Sequence, residues 1–206
     1  MLFKRKRLSF SSARPEVEKT ARVGASEVTV GRFSYGYKRI RVRQWGEGAA
    51  LRIGSFCSIA GDLTVFLGGN HRTDWATTFP FGSIATDQLG GEGITGHPYS
   101  NGDVRVGHDV WLGESVTVMS GVSIGHGAVI AAMSTVVRDV GPYEIWGGNP
   151  ARRISTRFEP EIVADLLDLQ WWDLEINEIR QIAPLLSQPL TASLLVQIRD
   201  CLRGGN

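Results

Sequence analysis

Residues 106–141 decide the fold and read VGHDVW, LGESVT, VMSGVS, IGHGAV, IAAMST and VVRDVG, six hexads in unbroken succession. Every hexad opens with an aliphatic residue, and these openers are Val106, Leu112, Val118, Ile124, Ile130 and Val136. The second position is small in four hexads, at Gly107, Gly113, Gly125 and Ala131, and the fifth is always Val, Ala or Ser. A fixed short period of this kind indicates a solenoid.

A period of six fits neither the helical turn of 3.6 residues nor the alternation of a plain strand. It suits a short strand followed by a corner, three times per coil, with the opener pointing inward and the small residue at the turn. We therefore predict a mainly β fold, a left-handed parallel β-helix of hexapeptide repeats. The alternative is a β-sandwich rich in Val and Gly, against which six consecutive hexads argue.

The hexad pattern starts near Val30, resumes at Ile53 and then halts from Val65 to Val106. We predict an N-terminal tail over 1–20, a β-helix domain over 21–154 with an inserted loop over 66–105, and C-terminal α-helices over 155–206. The extruded loop contains GGNHRTDWATTFPFG, residues 68–82. A long loop that leaves a regular solenoid usually carries function, so the chemistry is expected there.

Ile154 lies eighteen residues after Val136, so one more coil is expected to close there. Beyond it the apolar period becomes helical. Pro160 opens the first predicted helix, the second ends at Pro184, and the third runs over 191–202.

Composition excludes several classes of partner. Lys and Arg number 22 against 21 Asp and Glu, a balance that argues against nucleic acid. No apolar run is long enough to span a membrane and no signal-peptide core follows the basic residues 4–7, so we expect no membrane partner and a cytoplasmic protein. Those basic residues either bind an anionic surface or form a solvated tail. Cys57 and Cys201 make no disulfide framework, and Cys57 sits at a fifth hexad position that predicts burial.

Three of the four histidines bear on function. His108 and His126 are eighteen residues apart, both two residues after an opener, so they should stack at one corner of adjacent coils. They could share a zinc ion, but no third ligand has a matching spacing, and ordinary corner residues without metal are favoured. His71 lies in the loop among residues that allow unusual backbone angles, where it is either a general base or structural.

Six motifs occur in order along residues 31–173: GRFSYG (31–36), IGSFCSIA (53–60), GGNHRTDWATTFPF (68–81), GHDVWLG (107–113), GGNPAR (147–152) and QWWD (170–173). Together they resemble the xenobiotic acetyltransferase branch of the hexapeptide acyltransferases, which includes chloramphenicol and streptogramin A acetyltransferases. The hexads are shared by many acyltransferases. The succession of NHRTDW, GGNPAR and WWD is the specific part of the resemblance.

The resemblance implies a homotrimer, with acetyl-CoA in the groove between neighbouring solenoids and His71 as the catalytic base. Acetyl would pass directly to a hydroxyl of a small molecule, without an acyl-enzyme. Small corners for the pantetheine arm and cations for the phosphates supply the CoA candidates Ser120, Gly121, Ala131, Ala132, Arg138, Arg152 and Arg153. The acceptor candidates are Tyr37, Trp75 and Phe79, and no metal is implied.

The chain departs from the antibiotic enzymes in the stretch KRIRVRQWGEGAAL, residues 38–51, which is short and rich in Arg. The acceptor therefore stays open between an antibiotic such as chloramphenicol or streptogramin A, which would confer antibiotic resistance, and a sugar. Two further functions stay open as alternatives. One is a zinc enzyme resembling the γ-class carbonic anhydrases, and the other is a non-catalytic hexapeptide scaffold that binds a partner. Metal analysis and CoA binding distinguish them.

Overall fold

The computed structural model describes residues 8–204, so the predicted basic run at 4–7 lies outside the described residues. The chain divides after Ser155 into two compact units, of which the first is built from strands and the second from helices. Within 8–204, no helix has the length and apolar character needed to cross a bilayer.

The first unit consists of short strands joined by tight corners. In chain order they are β1 (Lys19–Val23), β2 (Ser26–Val30), β3 (Arg41–Arg43), β4 (Leu51–Ile53), β5 (Ser58–Ile59), β6 (Thr64–Phe66), β7 (Val104–Val106), β8 (Trp111–Leu112), β9 (Thr117–Val118), β10 (Ser123–Ile124), β11 (Val129–Ile130), β12 (Thr135–Val136), β13 (Glu144–Gly148) and β14 (Ala151–Thr156). A 3-10 turn covers Tyr37–Arg39, and a four-residue helix α1 covers Thr86–Leu89.

Three sheets surround the core, with strand orders β1-β2-β4-β7-β10, β14-β13-β11-β8-β5 and β12-β9-β6-β3. Each coil gives one strand to each sheet, so that β7, β8 and β9 form one coil and β10, β11 and β12 form the next. Strands of successive coils are parallel and in register, as where Val106 pairs with Ile53 on one side and Ile124 on the other. β1 and β2, at the start of this unit, pair antiparallel. The result is a mainly β, three-sided parallel solenoid, as the hexads predict.

The core is made by the first and fifth hexad positions, as predicted. The six openers from Val106 to Val136 are at most 5% exposed. The fifth-position residues, from Val110 to Val140, are buried as well. Cys57 occupies the same position one coil earlier, and its burial raises the pKa of the thiol to about 11.

At Gly113, the small second position is required by the backbone of the next coil. A Cβ atom on Gly113 would lie 2.6 Å from the backbone nitrogen of Ala132. The coils cannot separate to make room, because the N–H of Gly113 donates to the carbonyl of Ile130 at 2.9 Å. The prediction that small residues let the chain turn this corner is therefore confirmed.

The inserted loop leaves the solenoid after β6 and returns at β7. Its presence does not disturb the stacking of the coils, since Leu51 of β4 still pairs with Val104 of β7. The base of the loop is closed by Asn70 and Tyr99, whose amides donate to each other's carbonyls at 2.9 Å. The loop is thus an excursion with a closed neck.

The expectation for Ile154 is wrong. After β13 the chain turns at Gly148, where φ is 99°, and β14 then lies beside β13 at the edge of the same sheet. Ile154 is 66% exposed and opens no further coil. The physical reason is this glycine turn, which returns the chain to the sheet of β13 rather than to the sheet that contains Val136.

The N-terminal tail predicted over 1–20 needs correction for residues 8–20. Leu8 and Phe10 are partly buried against the core, and the Phe10 ring meets the Tyr37 ring at 4.8 Å. The N–H of Ser11 donates to the carbonyl of Thr20 at 2.8 Å, just where β1 begins. Covering the edge of the core removes these apolar side chains from water, which outweighs the entropy of a free tail.

The second unit contains α2 (Pro160–Leu169), a 3-10 turn (Trp171–Asp173), α3 (Ile176–Leu186) and α4 (Ala192–Gly204). Pro160 begins α2 as predicted. The predicted stop at Pro184 is wrong, because a proline in the last turn gives up only its own N–H bond and the N–H of Ser187 still donates to Ala183 at 3.1 Å. Ile182 of α3 and Ile198 of α4 are completely buried at the centre of this unit.

Candidate active site

His71 lies one residue beyond the pair that closes the loop, and its side chain is exposed. Its Nδ1 atom is 2.7 Å from the carbonyl oxygen of Thr78. A carbonyl oxygen only accepts hydrogen bonds, so Nδ1 must carry a proton and donate it. The lone pair of the neutral ring is therefore on Nε2, which leaves that nitrogen able to take up a proton.

The neck of the loop is tied to the solenoid next to His71. The side-chain amide of Asn70 donates to the hydroxyl of Ser120 at 2.9 Å, and the N–H of Asn101 donates to the same hydroxyl at 3.4 Å. Ser120 follows β9 at a corner of the solenoid and is itself buried. The residue before His71 is thus held to the rigid part of the fold.

His97 packs against His71 inside the loop. It is 4% exposed, and the two imidazole rings lie 4.8 Å apart in an edge-to-face arrangement. Neither ring nitrogen of His97 has a hydrogen-bond partner among residues 8–204. Burial lowers the pKa of His97, and the charges of His71 and Arg72 lower it further. His97 is therefore a neutral ring beside the predicted base.

Trp75 and Phe79, two predicted acceptor residues, are both exposed in the same loop. The Trp75 ring lies 5.5 Å from the ring of His97, and Phe79 packs on Phe81 at 4.9 Å. His97 therefore contacts both His71 and Trp75. The loop thus brings His71 and Trp75 into one cluster around His97.

Arg72 braces this cluster from within the loop. Its guanidinium lies 5.5 Å from the ring centroids of both Trp75 and Tyr99, a distance typical of cation–π contacts. Its Nε atom donates to Asp74 at 2.8 Å. This hydrogen bond raises the pKa of Arg72 and lowers the pKa of Asp74, so both groups stay charged.

Tyr37, the third predicted acceptor residue, lines a cavity apart from the cluster around His71. Its buried ring contacts Phe10 and lies 5.6 Å from the ammonium of Lys19. Within the described residues, this cavity is lined by the N-terminal segment and residues 34–39 and by no part of the inserted loop. The structure thus separates Tyr37 from the cluster around His71 within one chain.

The small residues predicted to meet CoA lie at two corners. Ser120 uses its hydroxyl inside the protein, as described above. Gly121 has a positive φ of 80°, and a Cβ atom there would lie 2.7 Å from the carbonyl oxygen of Asn101. Ala131 and Ala132 follow β11, and Ala132 is exposed. The second corner is therefore the more open of the two.

The predicted phosphate ligands differ in charge environment. Arg153 donates from Nε to Glu144 at 3.0 Å, and the same carboxylate accepts the indole N–H of Trp146 at 2.8 Å. Arg138 and Arg152 are exposed, and neither forms an ion pair with another described residue. Arg138 and Arg152 thus keep the charge that an anionic group needs.

His108 and His126 stack as predicted, with ring centroids 5.1 Å apart and planes inclined by 12°. Each Nδ1 accepts a backbone N–H from the coil before it, His108 from Ser55 at 2.9 Å and His126 from His108 at 3.0 Å. These bonds give the eighteen-residue spacing a structural explanation. Across the described part of the chain, no three His, Cys, Asp or Glu side chains lie where they could hold a metal ion.

Sequence reasoning missed three parts of this site: His97, Asn70 and the carbonyl of Thr78. His97 stands in His-Pro-Tyr shortly before the chain returns to the solenoid, a position that could have marked it as part of the loop neck. The pairing of Asn70 with Tyr99 joins distant residues and has no local pattern. A backbone carbonyl leaves no trace in the choice of side chain.

Comparison with known proteins finds a hexapeptide transferase family and several acetyltransferases. The family described as bacterial transferase hexapeptide (six repeats) matches residues 103–138. Chloramphenicol acetyltransferase of Escherichia coli is 37% identical over 188 residues, covering 85% of this chain and 89% of that protein. The probable macrolide acetyltransferase of Lysinibacillus sphaericus is 47% identical over 137 residues, covering 64% of this chain and 74% of that protein.

A solved structure supports the fold alone. AntD, an N-acyltransferase from Bacillus cereus, superposes with a TM-score of 0.50 at 22% identity, covering 69% of each chain. The sequence match to the chloramphenicol enzyme extends over most of both proteins, well beyond the hexads that many transferases share. The chain therefore belongs to the xenobiotic acetyltransferase branch of the hexapeptide-repeat acyltransferases, and it transfers acetyl from acetyl-CoA to a small-molecule acceptor.

Proposed function

We propose that His71 is the general base of an O-acetyl transfer. The observation that carries this proposal is the hydrogen bond from Nδ1 to Thr78, which leaves Nε2 as the basic nitrogen of an exposed ring. The ties of Asn70 to Tyr99 and Ser120 keep the ring in place relative to the solenoid. General bases of this kind contribute about 10²–10⁴-fold to the rate.

In the proposed mechanism, Nε2 of His71 takes the proton of the acceptor hydroxyl while its oxygen attacks the thioester carbonyl carbon of acetyl-CoA. The new C–O bond forms first and the carbonyl oxygen becomes an oxyanion. The oxyanion then collapses, the C–S bond breaks, and the CoA thiolate takes the proton back from His71. No acyl-enzyme forms, and the remaining rate enhancement comes from positioning and stabilisation of the oxyanion.

For the acetyl donor, we propose that the pantetheine arm passes the open corner at Ala131 and Ala132. The phosphates would meet Arg152 and Arg138, whose charges are not used in an ion pair with a described residue. Arg153 would attract the phosphates more weakly, because its guanidinium is already paired with the carboxylate of Glu144. Ser120 and Gly121 would act on the site through the neck of the loop.

We further propose that the acceptor lies between two protomers of a homotrimer of left-handed solenoids. Support for the left hand comes from the hexapeptide family match. Trp75 and Phe79 of one protomer would face Tyr37 of its neighbour, since the structure separates these residues within one chain. The acceptor is a hydroxyl compound, either an antibiotic such as chloramphenicol or streptogramin A or a sugar.

We propose the division of labour expected from the sequence: a catalytic solenoid over 21–154 with its loop, and a helical segment over 155–206. We also place the enzyme in the cytoplasm, because both Cys57 and Cys201 are free thiols and disulfides are rare in reducing compartments.

Two substitutions of His71 test the base. In His71→Ala both the Thr78 bond and the base are lost, whereas in His71→Asn the shorter amide keeps a donor for Thr78 but offers no base. We expect calorimetry to show unchanged acetyl-CoA binding in both variants. Turnover, measured as the release of free CoA thiol, should be about 10²–10⁴-fold lower in both. Undiminished turnover in His71→Asn would show that the ring is only structural.

A further inference from the structure

A cavity of about 340 Å³ lies where the N-terminal segment crosses the first coil, and it contains the predicted acceptor residue Tyr37. Its volume is at the lower end of the range found for small-molecule sites, about 300–1,000 Å³. Three cations, Lys19, Lys38 and Arg39, are among the residues that line it, and no Asp or Glu is. The residues that line it therefore carry a net positive charge.

Lys19 makes this imbalance unusual, because its side chain is buried and the whole residue is only 1% exposed. Its ammonium donates to the carbonyls of Val17 at 2.7 Å and Pro15 at 3.3 Å and lies over the ring of Tyr37. Within residues 8–204 it forms no ion pair with a carboxylate. A buried lysine is normally paired, since removing its charge from water is costly. Burial lowers the pKa of Lys19 as a consequence.

Glu16 lies close enough to act on Lys19 but does not form an ion pair with it. Glu16 acts on the charge of Lys19, but its carboxylate accepts the Nε–H of Arg14 at 2.6 Å. Lys38 and Arg39 are exposed at the end of the 3-10 turn and form no ion pair with a described residue. Three cations that form no ion pair within residues 8–204 thus converge on one cavity.

The cavity also offers a surface for a ring. Tyr35 and Tyr37 both line it, and aromatic side chains present apolar faces with a polar hydroxyl at the tip. The hydroxyl of Ser34 is already used, since it donates to Gly54 at 2.7 Å and accepts from Cys57 at 2.9 Å. Recognition at this site therefore depends on the cations and the two tyrosines.

We propose that this cavity binds a carboxylate or phosphate group of the acceptor, so that the enzyme acetylates an anionic hydroxyl compound such as an acidic sugar. Hydrogen bonds from Lys and Arg to such groups are charge-assisted and are stronger than neutral ones. This inference rests on the proposed function, in which Tyr37 lines the acceptor site beside a neighbouring His71. It selects the acidic members among the hydroxyl compounds considered above.

Three probes that share one sugar ring test the charge preference: glucose, glucuronate and glucose 6-phosphate. We expect calorimetry on the full-length protein at low salt to show that glucuronate or glucose 6-phosphate binds at least about tenfold more tightly than glucose. The pair distinguishes a carboxylate from a phosphate as the preferred group. Equal affinity for all three probes, or no binding of either charged probe at millimolar concentration, overturns the inference.

Variants locate the effect. The double substitution Lys38→Gln and Arg39→Gln removes two exposed charges, and we expect it to weaken binding of the charged probe by about tenfold or more. Lys19→Met keeps the buried stem without the ammonium and should act in the same direction. The control is Arg22→Gln, an exposed arginine on β1 that does not line the cavity. If the control weakens binding as much, the charge effect is general and the inference fails.

Kinetics separate this inference from the proposed function. Lys38→Gln with Arg39→Gln should raise KM for the charged acceptor, whereas His71→Ala should lower kcat and leave binding of the charged probe intact. If His71→Ala keeps its turnover, the base assignment fails although the charge preference stands. If turnover depends on His71 but charged and neutral probes bind alike, only the anionic acceptor is excluded.

Discussion

At His97, burial and the lack of a hydrogen-bond partner among residues 8–204 disfavour the charged form of the ring. The pKa of His97 lies below the ordinary value because of burial, then because of the charges of His71 and Arg72. The guanidinium of Arg72, which donates to Asp74, stays charged throughout the acid range. While the loop is closed over His97, the buried ring binds a proton less readily than it would if the loop opened and exposed it to water.

This difference in proton binding predicts that loop closure weakens in acid. Above the ordinary histidine pKa of about 6.5 the ring is neutral in both forms and contributes nothing. As the pH falls below that value, the open form binds a proton that the closed form does not, so the closed form is progressively lost. We expect hydrogen exchange at Tyr99, whose amide bonds Asn70, to show falling protection between about pH 8 and pH 5.

The comparison is His97→Phe, which keeps a ring of similar size without titration. Its protection should change much less with pH. His71→Asn in the same experiment removes the neighbouring imidazole as a source of the effect. An equally steep loss of protection in His97→Phe would assign the effect to another group.

At the scale of the structural element, the close approach of two backbones at the Gly113 corner bears on the stability of the solenoid. Gly113→Ala places a methyl group 2.6 Å from the backbone nitrogen of Ala132, which cannot move without breaking the ladder. We expect a loss of about 1–3 kcal/mol in the free energy of unfolding, measured with guanidinium chloride. Gly61→Ala is the matched control, because the atoms nearest to its methyl group belong to the flexible carboxylate of Glu114 rather than to backbone. Equal losses in the two variants would contradict a backbone clash.

Elements with a strict period are predictable from sequence, whereas elements set by a single turn are not. The openers from Val106 to Val136 are buried as expected, because each repeats the environment of its equivalent in the neighbouring coil. Ile154 keeps the spacing but not the environment, since the turn at Gly148 moves the chain to another sheet. The rule that a proline ends a helix predicts a stop at Pro184. The helix continues to Leu186 because a proline in the last turn removes only its own N–H bond.

The site was predictable only in part for the same reason. The resemblance points to His71, whose loop can be recognised from its residues. The nitrogen that acts as base, however, is decided by a bond to the carbonyl of Thr78, and backbone atoms have no sequence signature. Two burials depend on how distant segments close over the side chains: that of His97 without a hydrogen-bond partner among residues 8–204, and that of Lys19 without an ion pair there.

At the scale of the molecule, one sheet presents an apolar outer face. Trp111 of β8 is 56% exposed and pairs in register with Val129, which pairs with Ile145 of β13. An exposed tryptophan beside the half-buried Val129 and Ile145 favours an interaction surface, which identical chains can cover in a closed ring. This surface supports the proposed trimer.

Trp111→Glu should dissociate the trimer, because it would bury a carboxylate without a partner in the interface. Light scattering is expected to give three chain masses for the wild type and one for the variant. Val196→Glu, at an exposed position of α4, makes a similar exchange outside the sheet and should leave the mass unchanged. A wild type that scatters as one chain would exclude the trimer.

The in-register pairing of β4 with β7 across the inserted loop has a consequence for how such enzymes diversify. Adjacent coils remain stacked whatever the chain does between them, so the loop can lengthen, shorten or change its residues without loss of the framework. The wall that the loop gives to the acceptor site can therefore change independently of the stability of the solenoid. A lineage built on this fold can alter that wall by exchanging one segment, while the stacked coils remain as they were.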